Sequence, residues 1–435
     1  ALLVGVGERV TRFADVLRGS GCEVKLFLTT DEMLSRLGAD DVAGRAVLVS
    51  VANHSDQKRI THTLQRQSHT TTLEVELDSM VRNLKIYRSH LGAGVRLTAM
   101  VKAASYGHGR CEIAQTLQQQ GVDYLAVAFA DEGVELRRGG ITMPIVVLNA
   151  DADSFELMVA HNLEPEIYNF RSLADFAREV RLAGRTDYPI HLKIDSGMHR
   201  LGFGRKEVEE LCKILAYTAQ NVRVASIFTH LCVADDLEQD NFSEKQIAEF
   251  DHISTAIMES LPYRPLRHAA ASEAMLRFEK ARFDMCRLGI GLYGFSTTAG
   301  EALEPVSTLR TRIVQIHTLH DGDTVGYGRN GKIVGEKRIA TIPVGYADGL
   351  NRHLGNGAWE MIVGEKRAKT IGNICMDSCM IDITDIDGIE EGDDVTIFSA
   401  EKGNTAADMA SVLGTIPYEI LTSVAKRVKR IYINE

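Results

Sequence analysis

The chain has 435 residues, 45% of them hydrophobic, which is enough to bury the cores of two or three domains. Its formal net charge is −10 and it has no long basic run, which argues against nucleic acid or an anionic membrane as partner. The seven cysteines lack the spacing of a zinc site, so no metal is predicted, and neither a membrane span nor a signal peptide is visible. Scattered cysteines of this kind are typical of a reduced, cytoplasmic protein.

Residues 1–68 are predicted to form a small α/β unit of alternating strands and helices. The elements expected, in chain order, are a strand at 2–6, a helix near 9–19, a strand at 24–28, a helix at 31–37, a strand at 46–51 and a polar helix near 55–67. Because the sequence begins inside the first predicted strand, we expect it to be a piece of a longer chain.

Beyond about residue 70, short apolar runs alternate with helical segments, a pattern that favours a parallel sheet. Eight such repeats predict a closed (β/α)8 barrel, which we place at residues 69–303. The predicted strands lie at 96–101, 124–129, 144–149, 164–168, 189–194, 223–229, 266–270 and 286–292.

From residue 304 to 435 the helical signal fades and apolar residues alternate with polar ones, which predicts a mostly-β domain. Strands are expected within 309–319, 338–344, 359–363, 380–383 and 394–398, with helices near 405–412 and 417–426. The predicted fold class is therefore α/β: a small α/β piece, a barrel and a C-terminal β domain.

Lys102 is the most informative single residue, because it ends an apolar run and a glycine-rich turn follows it at once. A lysine at the mouth of a buried strand loses hydration, so its pKa falls toward neutrality. The neutral amine that results is what Schiff-base chemistry requires. A surface lysine at a strand end is the simpler interpretation, but other reactive side chains also follow predicted barrel strands. These are Asp195, His199 and Arg200 after the fifth, His230 after the sixth and Ser272 after the seventh, with Arg287 inside the eighth.

Two glycine-containing segments suggest binding of an anion. Residues 289–294 match the letters of a dinucleotide fingerprint but lack the strand–turn–helix and the later acidic residue that accompany it. At the eighth strand, this segment suits either a phosphate site made of backbone N–H groups or a tight turn. Residues 193–202 hold two cations and one acid at a strand end. Arg200 there is predicted to ligate an anion, whereas Lys193 and Asp195 fit salt-bridged scaffolding.

Together these motifs resemble alanine racemase of the fold-type III pyridoxal 5'-phosphate (PLP) class. The resemblance runs from about Thr72 to the C-terminus, and its motifs lie at 101–109, 193–202, 287–294, 345–349, 374–377 and 416–419. It implies that Lys102 holds PLP covalently and acts as one catalytic base. It also implies that Tyr327, reaching in from a partner subunit, is the base on the opposite face.

The resemblance implies further roles around the cofactor. Arg287 would face the pyridine nitrogen with His230 hydrogen-bonded behind it, and Arg200 would contact the cofactor and the substrate carboxylate. The phosphate would be bound by Tyr106, Ser272, Gly289, Ile290 and Tyr418. Substrate contacts would come from Met376 of the partner and, at the entrance, from Tyr346. In this family the lysine at position 193 is often carbamylated and braces Arg200.

The implied reaction interconverts L-alanine and D-alanine in a homodimer with shared sites, supplying D-alanine for peptidoglycan. Two bases on opposite sides of a planar intermediate suit racemisation, because each enantiomer then has its own base. An arginine at the pyridine nitrogen cannot donate a full proton, which keeps the ring a weaker electron sink and suppresses transamination. The sequence departs from the family pattern at Ala271, where asparagine is usual before the phosphate-binding serine, and also at residues 104–105 and 373.

Residues 1–68 are not part of an ordinary racemase and weakly resemble the end of the last domain of a Mur ligase, the D-alanyl-D-alanine-adding enzyme. Some bacteria fuse that ligase ahead of alanine racemase. The segment carries no Walker-type phosphate loop, so no ligase activity is expected of it.

Three other functions remain open from the sequence. A basic amino-acid decarboxylase of the same fold would have glutamate where Arg287 stands, which argues against it. A racemase for serine or for a broader set of substrates is harder to exclude. A PLP-binding protein without catalysis would share the barrel and Lys102, but the residues after 303 carry Tyr327, Met376 and Tyr418, which favours an enzyme.

Overall fold

The computed structural model describes residues 70–297 and 302–434 continuously, together with 2–7, 23–42 and single positions between 10 and 64. The chain divides into two compact units, Ala1–His69 and Thr70–Glu435. The predicted helix near 9–19, strand at 46–51 and polar helix near 55–67 lie largely outside the described residues.

The first unit contains a parallel pair of strands, Leu2–Val6 and Glu23–Phe27, joined in register over all five residues. A helix follows at Thr30–Arg36 because Thr29 caps it, accepting the backbone N–H of Glu32 over 3.1 Å. A 3₁₀ turn follows at Ala39–Val42. Phe27, Met33 and Leu37 pack together as the centre of a small core.

The second unit contains an eight-stranded parallel barrel, as the sequence predicted. Most of its strands are largely apolar because both faces of a parallel sheet are covered, but the fourth and the seventh, Glu164–Ile167 and Leu266–His268, also carry charged or ionisable side chains. The backbone N–H of Arg287 donates over 3.0 Å to the carbonyl of Ala270, just after the seventh strand, so the last strand lies beside the seventh and the ring is nearly closed. The barrel strands are Arg96–Met100, Tyr124–Val127, Ile145–Val147, Glu164–Ile167, Tyr188–Lys193, Val222–Phe228, Leu266–His268 and Met285–Leu288.

Helices connect these strands on the outside of the barrel, each burying one apolar face. The helix Phe170–Leu182 shows how they start: Asn169 and Ser172 form a reciprocal cap, and Leu173 and Phe176 are buried below it. None of the helices in the described ranges combines the length and apolarity needed to cross a bilayer. The helices of this part are Leu77–Ser89, Cys111–Gln119, Ala130–Arg138, Phe155–Ala160, Phe170–Leu182, Val208–Thr218, Asp240–Glu259 and Ser272–Arg277, with short 3₁₀ turns at Ala152–Ser154, Arg205–Glu207, Leu237–Gln239, Glu279–Ala281 and Ile290–Tyr293.

The C-terminal part is a nine-stranded, mostly antiparallel sheet. Thr72–Glu76, which precedes the barrel in the chain, belongs to this sheet, pairing in parallel with the last strand and antiparallel with Ser307–Arg312. The predicted run 309–319 is two strands separated at residues 313–314. Strands of the sheet are Thr72–Glu76, Ser307–Arg312, Gln315–Leu319, Lys337–Ile342, Glu360–Val363, Lys366–Thr370, Cys379–Asp382, Asp394–Phe398 and Lys429–Ile433.

Smaller elements complete this part. Helices lie at Ala406–Leu413 and Pro417–Ser423, the second ending three residues before its predicted end. A short pair of strands, Thr324–Val325 and Gly331–Lys332, was not predicted. Further 3₁₀ turns lie at Tyr327–Arg329, Tyr346–Asp348 and Arg352–Leu354.

Two glycines of the lysine motif let the last segment of the chain pack against the barrel. A Cβ on Gly107 would lie 2.1 Å from the carbonyl oxygen of Leu421, and one on Gly109 would lie 1.7 Å from the hydroxyl of Tyr432. Both glycines also have positive φ. Between them, buried His108 contacts the carbonyl of Ser105 over 2.9 Å. The motif therefore joins the Lys102 turn to the C-terminal sheet.

Candidate active site

A cavity of about 430 Å³ opens where the barrel strands end, the position of active sites in such barrels. All nine residues predicted to bind the cofactor line it: Lys102, Tyr106, Arg200, His230, Ser272, Arg287, Gly289, Ile290 and Tyr418. They come from five barrel strands or the turns after them and from the helix Pro417–Ser423. One cavity therefore gathers side chains that are more than 300 residues apart in the sequence.

Lys102 stands at the mouth of the first barrel strand, at the start of an unusual turn. Residues 103–106 all have φ between 52° and 55°, so this is one turn of left-handed helix built from residues other than glycine. Such a conformation costs about 1–2 kcal/mol per residue. Burial lowers the pKa of Lys102, and the positive charge of Arg200 lowers it further. The amine is thereby shifted toward the neutral, nucleophilic form.

Glu132 fastens this strained turn. One carboxylate oxygen accepts the backbone N–H of Ala103 over 2.7 Å, and the other accepts the N–H of Ala128 over 2.8 Å. The carboxylate thus joins the lysine turn to the end of the second barrel strand. Its negative charge acts on Lys102 as well, partly opposing the fall in the pKa of the amine.

Arg287 is buried and held by backbone carbonyls on several sides. Its Nη2 donates to the carbonyls of Thr229 over 2.6 Å and Ala269 over 2.9 Å, while Nη1 donates to the carbonyl of His268 over 3.2 Å. Burial lowers the pKa of Arg287 to about 10, which still leaves it charged at neutral pH. The guanidinium therefore presents a fixed positive charge to the cavity.

The side-chain partner of Arg287 is His268, which corrects the expectation that His230 would take this position. Nδ1 of His268 lies 2.7 Å from Nη1 of Arg287. His268 belongs to the seventh barrel strand, the direct neighbour of the strand that carries Arg287, whereas His230 follows the sixth. His230 lines the cavity instead, and burial together with the charge of Arg287 lowers its pKa well below the usual value.

A cradle for an anion lies beside Ser272. Its hydroxyl oxygen accepts the backbone N–H groups of Gly289 over 2.9 Å and Gly291 over 3.3 Å. A Cβ on Gly289 would lie 2.9 Å from the hydroxyl of Tyr106, so only glycine leaves this space open. The close approach of the Tyr106 hydroxyl therefore explains glycine at this position.

Arg200 lies on a loop that leaves the fifth strand and returns to it. The N–H of Phe203 donates to the carbonyl of Lys193 over 2.9 Å, which closes the loop at its base. Asp195 stiffens the loop by accepting the backbone N–H groups of Gly197 and His199 over 2.9 and 3.0 Å. Asp195 is a scaffold, and Arg200 is left to project into the cavity.

The remaining three predicted residues, Tyr327, Tyr346 and Met376, do not line the cavity of the described chain. Their exposed fractions are 72%, 43% and 54%. Backbone contacts gather them on the C-terminal part: the N–H of Tyr346 donates to the carbonyl of Cys375 over 3.1 Å, and Nδ2 of Asn373 donates to the carbonyl of Tyr327 over 2.8 Å. The loops that carry these three residues are therefore neighbours, and each of the three side chains is exposed.

Sequence reasoning missed three residues at this site, Glu132, Glu166 and His268. Glu166 lines the cavity, is only 3% exposed, and lies 3.7 Å from Nζ of Lys193. Glu166 and His268 both lie inside runs predicted to be buried strands. A charged or ionisable side chain at such a position could have identified them from the sequence. Nothing in the local sequence distinguished Glu132 from an ordinary acidic residue in the first turn of a helix.

Comparison with known proteins identifies the family. The family model "Alanine racemase, N-terminal domain" matches residues 75–297, and the model "Alanine racemase, C-terminal domain" matches residues 306–432. The chain is 36% identical over 372 residues to alanine racemase from Clostridium tetani, covering 83% of this chain and 95% of that protein.

Solved structures give the same result. Alanine racemase from Bacillus anthracis with bound L-Ala-P is 31% identical, with a TM-score of 0.78 over 85% of this chain and 96% of that one. Alanine racemase from Bartonella henselae with covalently bound pyridoxal phosphate is 27% identical, with a TM-score of 0.75 over 84% of this chain and 99% of that one. The chain belongs to the alanine racemase family.

Proposed function

We propose that the protein interconverts L-alanine and D-alanine, with PLP as cofactor held through Lys102. The observation that carries this proposal is that one cavity at the rim of the barrel is lined by all nine residues to which the resemblance assigns the cofactor. The volume of about 430 Å³ lies within the range of small-molecule sites. We further propose that the product D-alanine serves peptidoglycan synthesis.

The residues present fit PLP by their chemistry. Gly289 leaves open a space between the hydroxyls of Tyr106 and Ser272, which suits a phosphate group. Tyr418 contributes a third hydroxyl, its ring lying 5.7 Å from that of Tyr106 between centroids. Arg287 would face the pyridine nitrogen from its cage of carbonyls.

When bound, PLP supplies an electron sink for negative charge at the α-carbon of the substrate. The protein supplies the bases and the orientation. Lys102, whose pKa is lowered by burial, would take or return the proton on one face of the α-carbon. Arg200 would hold the substrate carboxylate. The charge of Arg287 stays fixed, and because it gives up no full proton it would limit transamination.

The second base in this proposal is Tyr327 of a partner subunit, accompanied by the partner's Met376 at the substrate carboxylate and the partner's Tyr346 at the entrance. Within one chain these side chains are exposed and lie away from the cavity. Grouped aromatic and methionine side chains of this kind are typical of interfaces. A two-fold homodimer would bring both sites together at once.

We propose that the chain has three parts, 1–68, 69–303 and 304–435, and that the first descends from the end of a Mur ligase. The parallel pairing of Leu2–Val6 with Glu23–Phe27 supports an α/β origin for it. The Clostridium tetani relative is matched over 95% of its length by 83% of this chain. This supports the proposal that the racemase part does not need residues 1–68.

The six cysteines in the described part of the chain are free thiols, which supports a reducing, cytoplasmic location.

Proton exchange in heavy water tests the reaction. The purified, PLP-loaded protein is incubated with L-alanine, and the products are separated by chiral chromatography. D-alanine that carries deuterium at the α-carbon is the expected result. Exchange of serine without alanine would contradict alanine as the substrate and favour a racemase for serine. Bound PLP with no exchange of either amino acid would favour a binding protein.

A further inference from the structure

Glu166 is a buried carboxylate in a cavity whose other charged walls are mainly cationic. It lines the cavity together with Lys102, Lys193, Arg200 and Arg287. Two other carboxylates, Asp235 and Glu273, also line it, but Asp235 is exposed and Glu273 is half-buried. A buried carboxylate needs paired charge to remain ionised, and cations surround this one.

Neighbouring strands set the position of Glu166 opposite Lys193. Glu166 lies in the fourth barrel strand and Lys193 ends the fifth, with Glu166 in register with His191. Side chains two residues apart in a strand point the same way, so His191 and Lys193 both face the barrel interior. Glu164 accordingly contacts His191 over 2.8 Å deeper in the barrel, and Glu166 contacts Lys193 over 3.7 Å at the rim.

The charges of this pair depend on each other. Burial raises the pKa of Glu166, and the positive charges of Lys193, Arg200 and Arg287 oppose that rise. Burial lowers the pKa of Lys193 to about 8, which the carboxylate of Glu166 opposes. The ammonium of Lys193 also lies 4.4 Å from the ring centroid of Phe228, a cation–π contact that favours its charged form.

We propose that Glu166 is a positioning residue that provides the fixed negative charge between Lys193 and Arg200, so that Lys193 functions as an unmodified ammonium. The resemblance to alanine racemase raised carbamylation of Lys193 as the source of such a charge. A carbamate on Nζ would place a second anion against Glu166 in a buried site. Because two carboxylate-like groups in one site cannot both ionise easily, Glu166 and a carbamate compete for the same cations.

The consequence for the reaction rests on the proposed function, in which Arg200 holds the substrate carboxylate. Arg200 is exposed and reaches the cavity from a loop anchored at Lys193. Glu166 would draw its guanidinium toward one wall and define where the substrate carboxylate binds. Loss of this charge should weaken substrate binding more than turnover, and should leave the anion cradle at Ser272 intact.

The test combines labelled carbon dioxide with a Glu166→Gln variant, both on the PLP-loaded protein. In wild type incubated with ¹³C-bicarbonate, NMR should show no carbamate carbon, and racemisation should be equal with and without bicarbonate. In Glu166→Gln, we expect KM for alanine to rise about tenfold with a smaller change in kcat and unchanged PLP content. Stoichiometric carbamate in wild type, or an unchanged KM in the variant, would overturn the proposal.

Rescue separates a charge effect from a folding defect. In Glu166→Gln, bicarbonate should lower the raised KM part of the way toward the wild-type value and produce the carbamate signal. The reason is that the neutral Nζ of Lys193 attacks CO₂, forms an N–C bond and releases a proton to the buffer. Glu166→Gln/Lys193→Met has no amine and should show neither effect; rescue there would contradict the proposal. If Glu166→Gln does not fold, the shorter Glu166→Asp replaces it. Its KM for alanine should lie between the wild-type value and the tenfold rise expected for Glu166→Gln, and a KM equal to that of wild type would contradict the proposal.

The NMR result does not depend on turnover. If wild type fails to racemise alanine at all, the proposed function fails, while the presence or absence of the carbamate carbon still decides the state of Lys193.

Discussion

Nη1 of Arg287 donates a hydrogen bond to Nδ1 of His268 over 2.7 Å, and this contact fixes the tautomer of a buried chain of side chains. Arginine can only donate, so Nδ1 of His268 must accept and Nε2 carries the proton. Nε2 then donates to Ser226 over 2.9 Å, Ser226 donates to Nδ1 of His191 over 2.6 Å, and Nε2 of His191 donates to Glu164 over 2.8 Å. Every donor in this series of hydrogen-bonded side chains has a matching acceptor.

Replacing His268 tests the support of Arg287. His268→Leu removes the acceptor and should lower the unfolding free energy by about 2–3 kcal/mol, because a buried charged donor loses its partner. If the same loss reaches the transition state, kcat falls about 30–150-fold. His268→Asn is the control, because its amide oxygen can replace Nδ1 as the acceptor. This variant should therefore lose less unfolding free energy and less kcat than His268→Leu. Urea unfolding and initial rates measure them, and equal effects of the two variants would contradict this role.

The pH dependence of stability follows from buried His108. Burial lowers the pKa of His108 to about 4 from its usual 6.5. Between these values the unfolded chain binds a proton that the folded protein does not, so stability falls as the pH drops from 6.5 to 4. The loss from this residue is about 3 kcal/mol across that window.

The variant His108→Asn isolates that contribution. Its amide can still donate to the carbonyl of Ser105 but cannot titrate, so the unfolding free energy should depend less steeply on pH between 6.5 and 4. Chemical unfolding at half-unit pH intervals measures the slope. A slope as steep as that of wild type would assign the acid sensitivity to other groups, such as His230 and His268, whose pKa values are also lowered by burial.

The sequence predicted the barrel well because most of its strands are buried on both faces and appear as largely apolar runs between helical segments. It did not reveal Glu166 or His268, since their importance depends on neighbours in adjacent strands. Glu166 meets Lys193 across 27 positions of sequence, and that contact follows from strand register. Local residue preferences could not show it.

The left-handed turn after Lys102 was also beyond prediction. Alanine, serine and tyrosine avoid positive φ, so local propensity argues against the conformation seen at 103–106. Tertiary contacts impose it: Glu132 holds its start, and the packing of Leu421 and Tyr432 against Gly107 and Gly109 holds its end. The sequence motif therefore indicated the site, whereas its geometry depends on distant parts of the chain.

Ala271 offers a stabilising substitution. It occupies the N-cap of the helix Ser272–Arg277 in an extended conformation and makes no side-chain capping bond. Ala271→Asn should supply that bond and raise the unfolding free energy by about 0.5–1 kcal/mol. Ala271→Gln carries the same amide one methylene further away and is the matched control. Thermal unfolding compares them, and equal melting temperatures for Ala271→Asn and wild type would argue against a missing cap.

Mixing two inactive variants tests whether subunits share their sites. Lys102→Ala lacks the cofactor lysine, and Tyr327→Phe lacks the proposed second base, so each homodimer should be inactive. If Tyr327 enters the partner's cavity, a hybrid dimer has one site with both defects and one intact site. An equal mixture, exchanged by mild denaturation and refolding, should regain about one quarter of wild-type activity. If Tyr327 acted within its own chain, every hybrid site would carry one defect and no activity would return. Refolded Lys102→Ala alone controls for reactivation, and PLP retained by Tyr327→Phe shows that the cavity itself remains intact.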